Sequence, residues 1–348
     1  MNEHASVEPN WPPVSLVMPV LNEERHLREA VEGVLAQHYP GDLEVVLALG
    51  PSRDRTDDVA AALAALDERV RVVDNPAGHT PHALNAAIAA AKHDVIVRVD
   101  GHSVLPDDYV RTAVSVLLEA GADNVGGLMA AEGTTDFERA VAAAMSSRIG
   151  VGATQFHTGG ADGPAETVYL GVFRRSALDR VGGYDEAFHR AQDWEMNHRI
   201  RETGGLVWFT SRLKVAYRPR ATFAALARQY FDTGSWRWQV MVRHPETVSL
   251  RYLAPPAAVA GTAAALGLAL AGRRWALVVP VAYAAAVVVG AAVTGRGLPP
   301  RGRAMLPGVY ATMHYAWGAG FLKGVAASAL SRDRRRQSVL DRVRRRRR

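Results

Sequence analysis

The sequence predicts an α/β protein built on a mostly parallel, doubly wound sheet, with apolar helices towards its C-terminal end. Strand-like apolar runs alternate with helical periodicities four times by residue 100, the signature of βαβ units whose right-handed crossovers give a parallel sheet. Val95-Ile96-Val97-Arg98-Val99 then runs into Asp100-Gly101-His102. This is a buried strand, interrupted by one arginine, whose carboxyl end opens at a loop where such sheets place ligands. Lastly, Ala254 to Ala271 and Trp275 to Thr294 carry no charged residue, each near the roughly 20 residues that cross a bilayer.

The elements follow in order. Val14 to Val20 reads as a first strand, stopped near Pro19. Asn22-Glu23-Glu24 precedes a helical pattern with Leu27, Ala30, Val31, Val34 and Leu35 on one face. Taken alone, Asn22 is an N-cap and the two acids complement the helix dipole. A second strand, Leu43 to Leu49, ends in Gly50-Pro51-Ser52-Arg53-Asp54-Arg55-Thr56 before a helix over Asp57 to Leu66. Strand three, Val70 to Val73, leads through Asn75-Pro76-Ala77-Gly78-His79 into a helix with Ala83, Leu84, Ala87 and Ile88 inward. At the fourth strand's end, Asp100 and His102 lie two apart, so a turn at Gly101 can aim both at one divalent cation. The plain structural alternative is an Asp-Gly turn with a solvated histidine.

Charge is unevenly placed. The chain of 348 residues has a formal net charge of +6 and no cysteine, which excludes thiolate chemistry and a disulfide framework. Ten Arg and two Asp lie from Arg332 to Arg348, so the rest of the chain is near neutral. A basic body would point to nucleic acid, whereas a basic tail after apolar segments points to an anionic membrane surface. Residues Met1 to Trp11 have no basic or apolar stretch of the kind that exports a domain. The first domain is expected to stay where it is made.

This order of motifs resembles glycosyltransferase family 2, inverting enzymes with the GT-A fold. Pro19-Val20-Leu21-Asn22-Glu23 resembles the family's first-strand signature, and Ser52-Arg53-Asp54-Arg55-Thr56 the second half of its acidic-glycine-serine loop. Asn75, Gly78 and Asn85 are spaced like its nucleotide-side helix, and Asp100-Gly101-His102 falls at its metal-binding Asp-x-Asp. Gly182 to Glu186 and Gln192 to Ile200 resemble the subgroup that builds bacterial exopolysaccharides, including succinoglycan-chain glucosyltransferases. The resemblance covers Val14 to Trp238.

It implies a nucleotide diphosphate sugar donor, with UDP-sugar foremost, held by Pro19, Asn22, Glu23, Asp54, Asn85 and Asp100. Asp100 and His102 would hold Mn²⁺ or Mg²⁺, the imidazole favouring Mn²⁺. Asp193 stands at the place of the catalytic base, although an aspartate at a helix start also reads as an N-cap. Tyr184, Asp185, Gln192, Glu195, Arg237 and Trp238 belong to the acceptor side. Two departures stand out. Leu49 and Gly50 replace the acids that contact the nucleotide base, and Gly234 replaces the Gln of the Gln-x-x-Arg-Trp pattern of processive members. One sugar per acceptor is therefore expected. Arg174 and Arg175 either neutralise a phosphate or cap a helix, and the segment around His157 is expected to be a mobile loop.

The expected organisation is a polar arm over 1–12, a GT-A domain over 13–240, a membrane region over 241–331 and an Arg-rich cytoplasmic tail over 332–348. Two spans, about 254–271 and 275–294, return Arg296, Arg301 and Arg303 to the cytoplasm, as positive-inside asymmetry demands. Arg273-Arg274 between them is the exception, and a third apolar helix, about 305–322, would lie at the interface. Membrane anchoring implies a lipid-linked saccharide acceptor, polyprenyl-diphosphate-linked by the resemblance; Arg228, Arg237 and Arg243 are candidates to meet its diphosphate. Competing readings are transfer to polyprenyl phosphate itself and a membrane-anchored nucleotide-sugar binding protein without catalysis. A nucleotidyltransferase is disfavoured because no glycine-rich loop with a lysine follows the first strand.

Overall fold

The computed structural model describes the backbone of residues 11–346 and the side chains of 11–330. Residues 1–10 of the expected arm and the side chains of the Arg-rich tail lie outside the described residues. In chain order the elements are β1 (Val14–Val20), α1 (Leu27–Leu35), β2 (Leu43–Leu49), α2 (Thr56–Leu66), β3 (Val70–Asp74), α3 (Thr80–Ala90), β4 (Val95–Arg98), α4 (Tyr109–Glu119) and β5 (Asn124–Ala131). They continue with α5 (Asp136–Met145), α6 (Arg148–Val151), α7 (Gln155–Thr158), β6 (Gly163–Pro164), β7 (Tyr169–Arg174), α8 (Arg175–Val181), α9 (Gln192–Glu202) and β8 (Val207–Tyr217). Four long helices close the chain: α10 (Phe223–Arg243), α11 (Leu250–Leu270), α12 (Val278–Thr294) and α13 (Pro300–Arg346).

Among the described residues two compact units result, one from 11–130 with 154–217, the other from 131–153 with the chain from 218 onward. In the first, one eight-stranded sheet runs β3-β2-β1-β4-β7-β5-β8-β6. The four strands from β3 to β4 are parallel, in the register Val14 to Leu43 and Val14 to Val95. Beyond β4 the sheet turns antiparallel at β7. Successive residues of a strand face opposite sides. Leu16 and Met18 accordingly pack with Leu27, Val31, Val110 and Leu117 of α1 and α4, whereas Val17 and Ile96 pack with Leu84, Leu178 and Met196 of α3, α8 and α9. Burial on both faces explains why these strands read as continuous apolar runs.

The paired arginines resolve in favour of capping. Arg175 donates to the carbonyls of Ile88, Ala91 and His93 at 2.8–3.0 Å, closing the C-terminal end of α3. Arg174 donates to Ala122 O at 2.9 Å and to Leu117 O at 3.4 Å, doing the same for α4. A cation at a helix C-terminus meets both orphan carbonyls and the negative end of the dipole. His157, expected on a mobile loop, lies in the helical turn α7 with its ring against Phe156, and burial lowers its pKa to about 4.

In the second unit, α11 and the segment Arg274–Gly297 are long and apolar enough to cross a membrane, with mean hydropathies of 1.6 and 2.4. Leu266, Leu268, Val281, Val288, Val289 and Val293 are exposed on them. The third apolar stretch lies within α13, where Leu306, Val309, Tyr310 and Met313 are fully buried. Thr262 bonds Tyr315 at 2.9 Å and Tyr283 bonds His314 at 3.1 Å, tying α11 and α12 to α13. Glycines bring α10 and α13 together. A Cβ on Gly234 would stand 1.9 Å from Trp317 O, and one on Gly320 1.9 Å from Phe231 O.

Candidate active site

The carboxyl ends of β1 to β4 surround a cavity of about 310 Å³ lined by Pro19, Glu23, Asn75, Arg98, Asp100 and His102, among others. The loop after β1 is shaped by Asn22, whose φ of 57° is left-handed, a conformation asparagine tolerates better than most residues. Asn22 does not cap α1, which begins five residues later. Its N–H donates to Ser52 Oγ at 3.0 Å and its Oδ1 accepts from Arg53 N at 2.8 Å. Glu23 N–H reaches Thr56 Oγ1 at 2.8 Å, and Glu24 N–H reaches Asp54 Oδ2 at 3.2 Å. Asp54 also accepts from Thr56 N at 3.1 Å, and the Thr56 hydroxyl holds its carboxyl below the usual range. Asn22 and Asp54 thus join the first two loops, and neither lines the cavity, where the sequence placed both on the nucleotide.

Arg98 is the centre of the site. Its side chain is 7% exposed, and its Nη2 lies 3.0 Å from Asp100 Oδ1 while Nη1 binds Asp193 Oδ1. Ala191, left-handed at φ 61°, turns the chain into α9 and sets Gln192 and Asp193 in its first turn. Asp193 is not the N-cap, which is Ala191; it is ion-paired with Arg98, and its side chain is 40% exposed. Burial raises its pKa above the ordinary aspartate value, against the Arg98 guanidinium, which pulls it down. Arg98 itself is held well above its usual pKa by the two carboxylates, against the cost of burial.

The residues at the β4 end fit a divalent cation. Asp100 offers a carboxylate whose Oδ1 is fixed by Arg98, and His102 Nδ1 lies 2.7 Å from Glu23 Oε1. With Nδ1–H donated to that carboxylate, a neutral imidazole would offer Nε2 to a cation, the arrangement by which second-shell carboxylates orient a ligating histidine.

The remaining expected residues divide. Gln192 lines the cavity. Asn85 is spent elsewhere: its Nδ2 donates to Tyr184 O at 2.9 Å and its Oδ1 accepts from Tyr184 N at 2.8 Å. It positions the segment carrying Tyr184 and does not line the cavity. Tyr184 is buried against Phe173, and burial raises its hydroxyl pKa. Asp185 accepts from Ala187 N in its own turn, and Glu195 is 1% exposed and paired with Arg199 at 2.6 Å. An open acceptor surface is therefore not made by Tyr184 or Glu195. Arg237 and Trp238 belong to the second unit. There Arg237 donates to Thr247 O at 3.1 Å and stacks 3.6 Å from the Tyr252 ring centroid, while Trp238 Nε1 donates to Ser328 at 2.8 Å. Sequence reasoning assigned no role to Arg98. The signal was there: a charged residue inside an otherwise apolar buried strand.

Comparison with known proteins bears on this site. Residues 15–182 match the family model "Glycosyl transferase family 2". The chain is 35% identical over 311 residues to the succinoglycan biosynthesis protein ExoA of Rhizobium meliloti, covering 88% of this chain and 93% of that protein. It is 27% identical over 303 residues to a beta-monoglucosyldiacylglycerol synthase of Synechocystis, covering 79% and 61%. Among solved structures, the mannosyltransferase PcManGT of Pyrobaculum calidifontis, in complex with GDP-Man and Mn²⁺, superposes with a TM-score of 0.57 at 21% identity, covering 91% of this chain and 88% of that one.

Proposed function

The chain belongs to glycosyltransferase family 2, and from that premise we propose that it moves a sugar, with inversion, from a nucleotide diphosphate sugar to a membrane-associated, polyprenyl-diphosphate-linked saccharide during exopolysaccharide synthesis. The observation that carries this reading is the Arg98 bridge, which joins Asp100, at the cavity wall, to Asp193, the base candidate in the first turn of α9. The similarity to a succinoglycan biosynthesis protein over nearly its whole length supports the pathway class. The two apolar helices support an acceptor held at a membrane.

Asp100 and His102 would hold Mn²⁺ or Mg²⁺, which when bound stabilises the charge gathering on the departing diphosphate. Asp193 takes the proton from the acceptor hydroxyl as its oxygen bonds to the anomeric carbon and the bond from that carbon to the diphosphate breaks. Such a base contributes about 10²–10⁴-fold. Its raised pKa strengthens it as a base, and Arg98 keeps its carboxylate oriented. Glu23 holds the His102 ring. In this reading α11 and α12 cross the plasma membrane, with the catalytic unit and the Arg-rich tail on its cytoplasmic face.

The test is nucleotide release by full-length protein in detergent, across UDP, GDP and dTDP sugars with Mn²⁺, Mg²⁺ or EDTA and a lipid-linked saccharide. Metal-dependent release of one nucleoside diphosphate with lengthening of the saccharide is expected, lost in Asp100→Ala and in Asp193→Asn. If no nucleoside diphosphate binds with metal in calorimetry, the catalytic reading falls. Glycosylation of polyprenyl phosphate in place of the saccharide would remove the acceptor assignment alone.

A further inference from the structure

Asp193 owes its place to α9, a helix with little apolar surface to pack on a sheet. Its buried residues are Glu195, Met196, Asn197, His198 and Ile200, and of these only Met196 and Ile200 are apolar. Apolar packing is non-directional, and so narrow a stripe leaves the rotation of a helix about its axis loosely set. Polar contacts have to set it. Glu195 is spent within the helix on Arg199. Asn197 instead reaches the sheet. It is 1% exposed, its Nδ2 donates to Thr167 Oγ1 at 2.9 Å, and its Oδ1 accepts from Asn124 Nδ2 at 2.6 Å.

Thr167 precedes β7 and Asn124 opens β5, so one side chain of α9 is fastened at two strands. Asn124 is fully buried, and β7 leaves room for its amide: a Cβ on Gly171 would stand 2.5 Å from Asn124 Oδ1. That oxygen has no hydrogen-bond partner. Turning both amides over keeps two bonds, with the Thr167 hydroxyl donating, and still leaves one buried amide group of Asn124 unpaired. The chain is therefore kept at a cost. Apolar residues of similar shape would fill the same positions without it, so stability does not account for these side chains. Directional bonds that admit one arrangement do.

Asn197 lies four residues after Asp193, on the same face and one turn further along α9. We infer that Asn197, with Asn124 and Thr167, is a positioning set for the base. It fixes the rotation of α9 so that the Asp193 carboxylate meets the Arg98 guanidinium, whose ion pair holds the preceding turn. The inference rests on the reading of Asp193 as base and extends it to three residues that do not line the cavity.

The test sets rate against stability in the full-length protein in detergent. Asn124→Leu with Asn197→Leu removes both amides together, so neither is left buried beside a missing partner. Its Tm should equal or exceed that of the unaltered protein, and calorimetry with Mn²⁺ should show unchanged affinity for the nucleoside diphosphate. The rate is read as nucleoside diphosphate release from the donor sugar selected by the assay above, with the lipid-linked saccharide present. There kcat should fall about tenfold or more, as displacement of a reacting group costs, at constant KM for the donor. Thr167→Ser keeps the hydroxyl and should retain the rate, whereas Thr167→Val, of similar shape, should lose it in like measure. A stable double variant with full kcat overturns the inference, and so does a loss of donor affinity in step with kcat. Should the double variant fold poorly, the Thr167 variants decide, and equal rates for the two overturn it. Asp193→Asn at full rate would remove the base reading and this inference with it. An inactive Asp193→Asn beside a fully active double variant removes the inference alone.

Discussion

Asp100 and Asp193 share one guanidinium, Asp100 at 3.0 Å from Arg98 Nη2 and Asp193 on Nη1. A lysine is a point charge on a flexible stem and cannot hold two carboxylates in a fixed fork. Arg98→Lys should therefore keep the fold but lower kcat by about tenfold or more, one misplaced base being worth about that much or more. Arg98→Met removes the cation and leaves two carboxylates facing each other. Its cost in stability should sit at the lower end of the about 3–5 kcal/mol typical of a broken buried pair, because Asp193 is 40% exposed. Steady-state kinetics and thermal unfolding separate the two variants.

Burial raises the pKa of Asp193 while Arg98 lowers it. A base works deprotonated, so activity is full above that raised pKa and is lost as pH falls through it. The acid limb of kcat/KM should lie above the usual aspartate value of about 3.9, and Arg98→Met should move it further up. A limb at or below the ordinary value would remove Asp193 from the role of base.

Arg175 closes α3 with bonds to three carbonyls. Arg175→Met keeps the stem and deletes those donors. A loss of about 2–3 kcal/mol is expected from hydrogen bonds to a charged donor, with donor affinity weakened because Gly78, His79 and Thr80 at the other end of α3 line the cavity. Unchanged stability would mean that water caps the helix equally well.

Gly234→Gln would install the residue found in processive relatives, yet a Cβ there meets Trp317 O at 1.9 Å. The expected result is destabilisation at or beyond the about 1–3 kcal/mol of overpacking, read as a lower Tm in detergent, with no gain in product length. Longer products from a stable Gly234→Gln protein would show that the helices can respace.

The chain has no cysteine, so single introduced cysteines report topology directly. In intact cells, Arg273→Cys between the apolar helices should react with an impermeant maleimide, and Arg296→Cys only after permeabilisation. The reverse pattern would invert the proposed orientation.

The parallel half of the sheet was legible because its strands are buried on both faces and read as unbroken apolar runs. In the antiparallel half β7 reads as a strand within Thr167 to Arg175, but β6 and β8 do not, since β6 is two residues long and β8 mixes buried Phe209 and Leu213 with exposed Ser211 and Arg212. In the site, Asp100, His102 and Asp193 could be singled out because acids and a histidine at strand and helix ends are chemically conspicuous. Asn22, Asp54 and Asn85 bond neighbouring loops, as short polar side chains satisfy backbone as readily as ligands. The choice depends on which loop lies opposite, and a single strand of text does not contain it. Arg98 was hidden for the converse reason: its partners come from a turn and from a helix far along the chain.

Gly234 and Gly320 stand where α10 and α13 meet backbone to backbone. Each opens one helix to the backbone of the other, so the α10–α13 contact is made of atoms in direct touch. Attraction of this kind owes little to the expulsion of water and persists in hydrocarbon as in an aqueous phase. Such a joint is indifferent to its solvent. It can hold with one end wet and the other in oil, and it should tolerate changes of lipid or detergent that loosen α11 and α12.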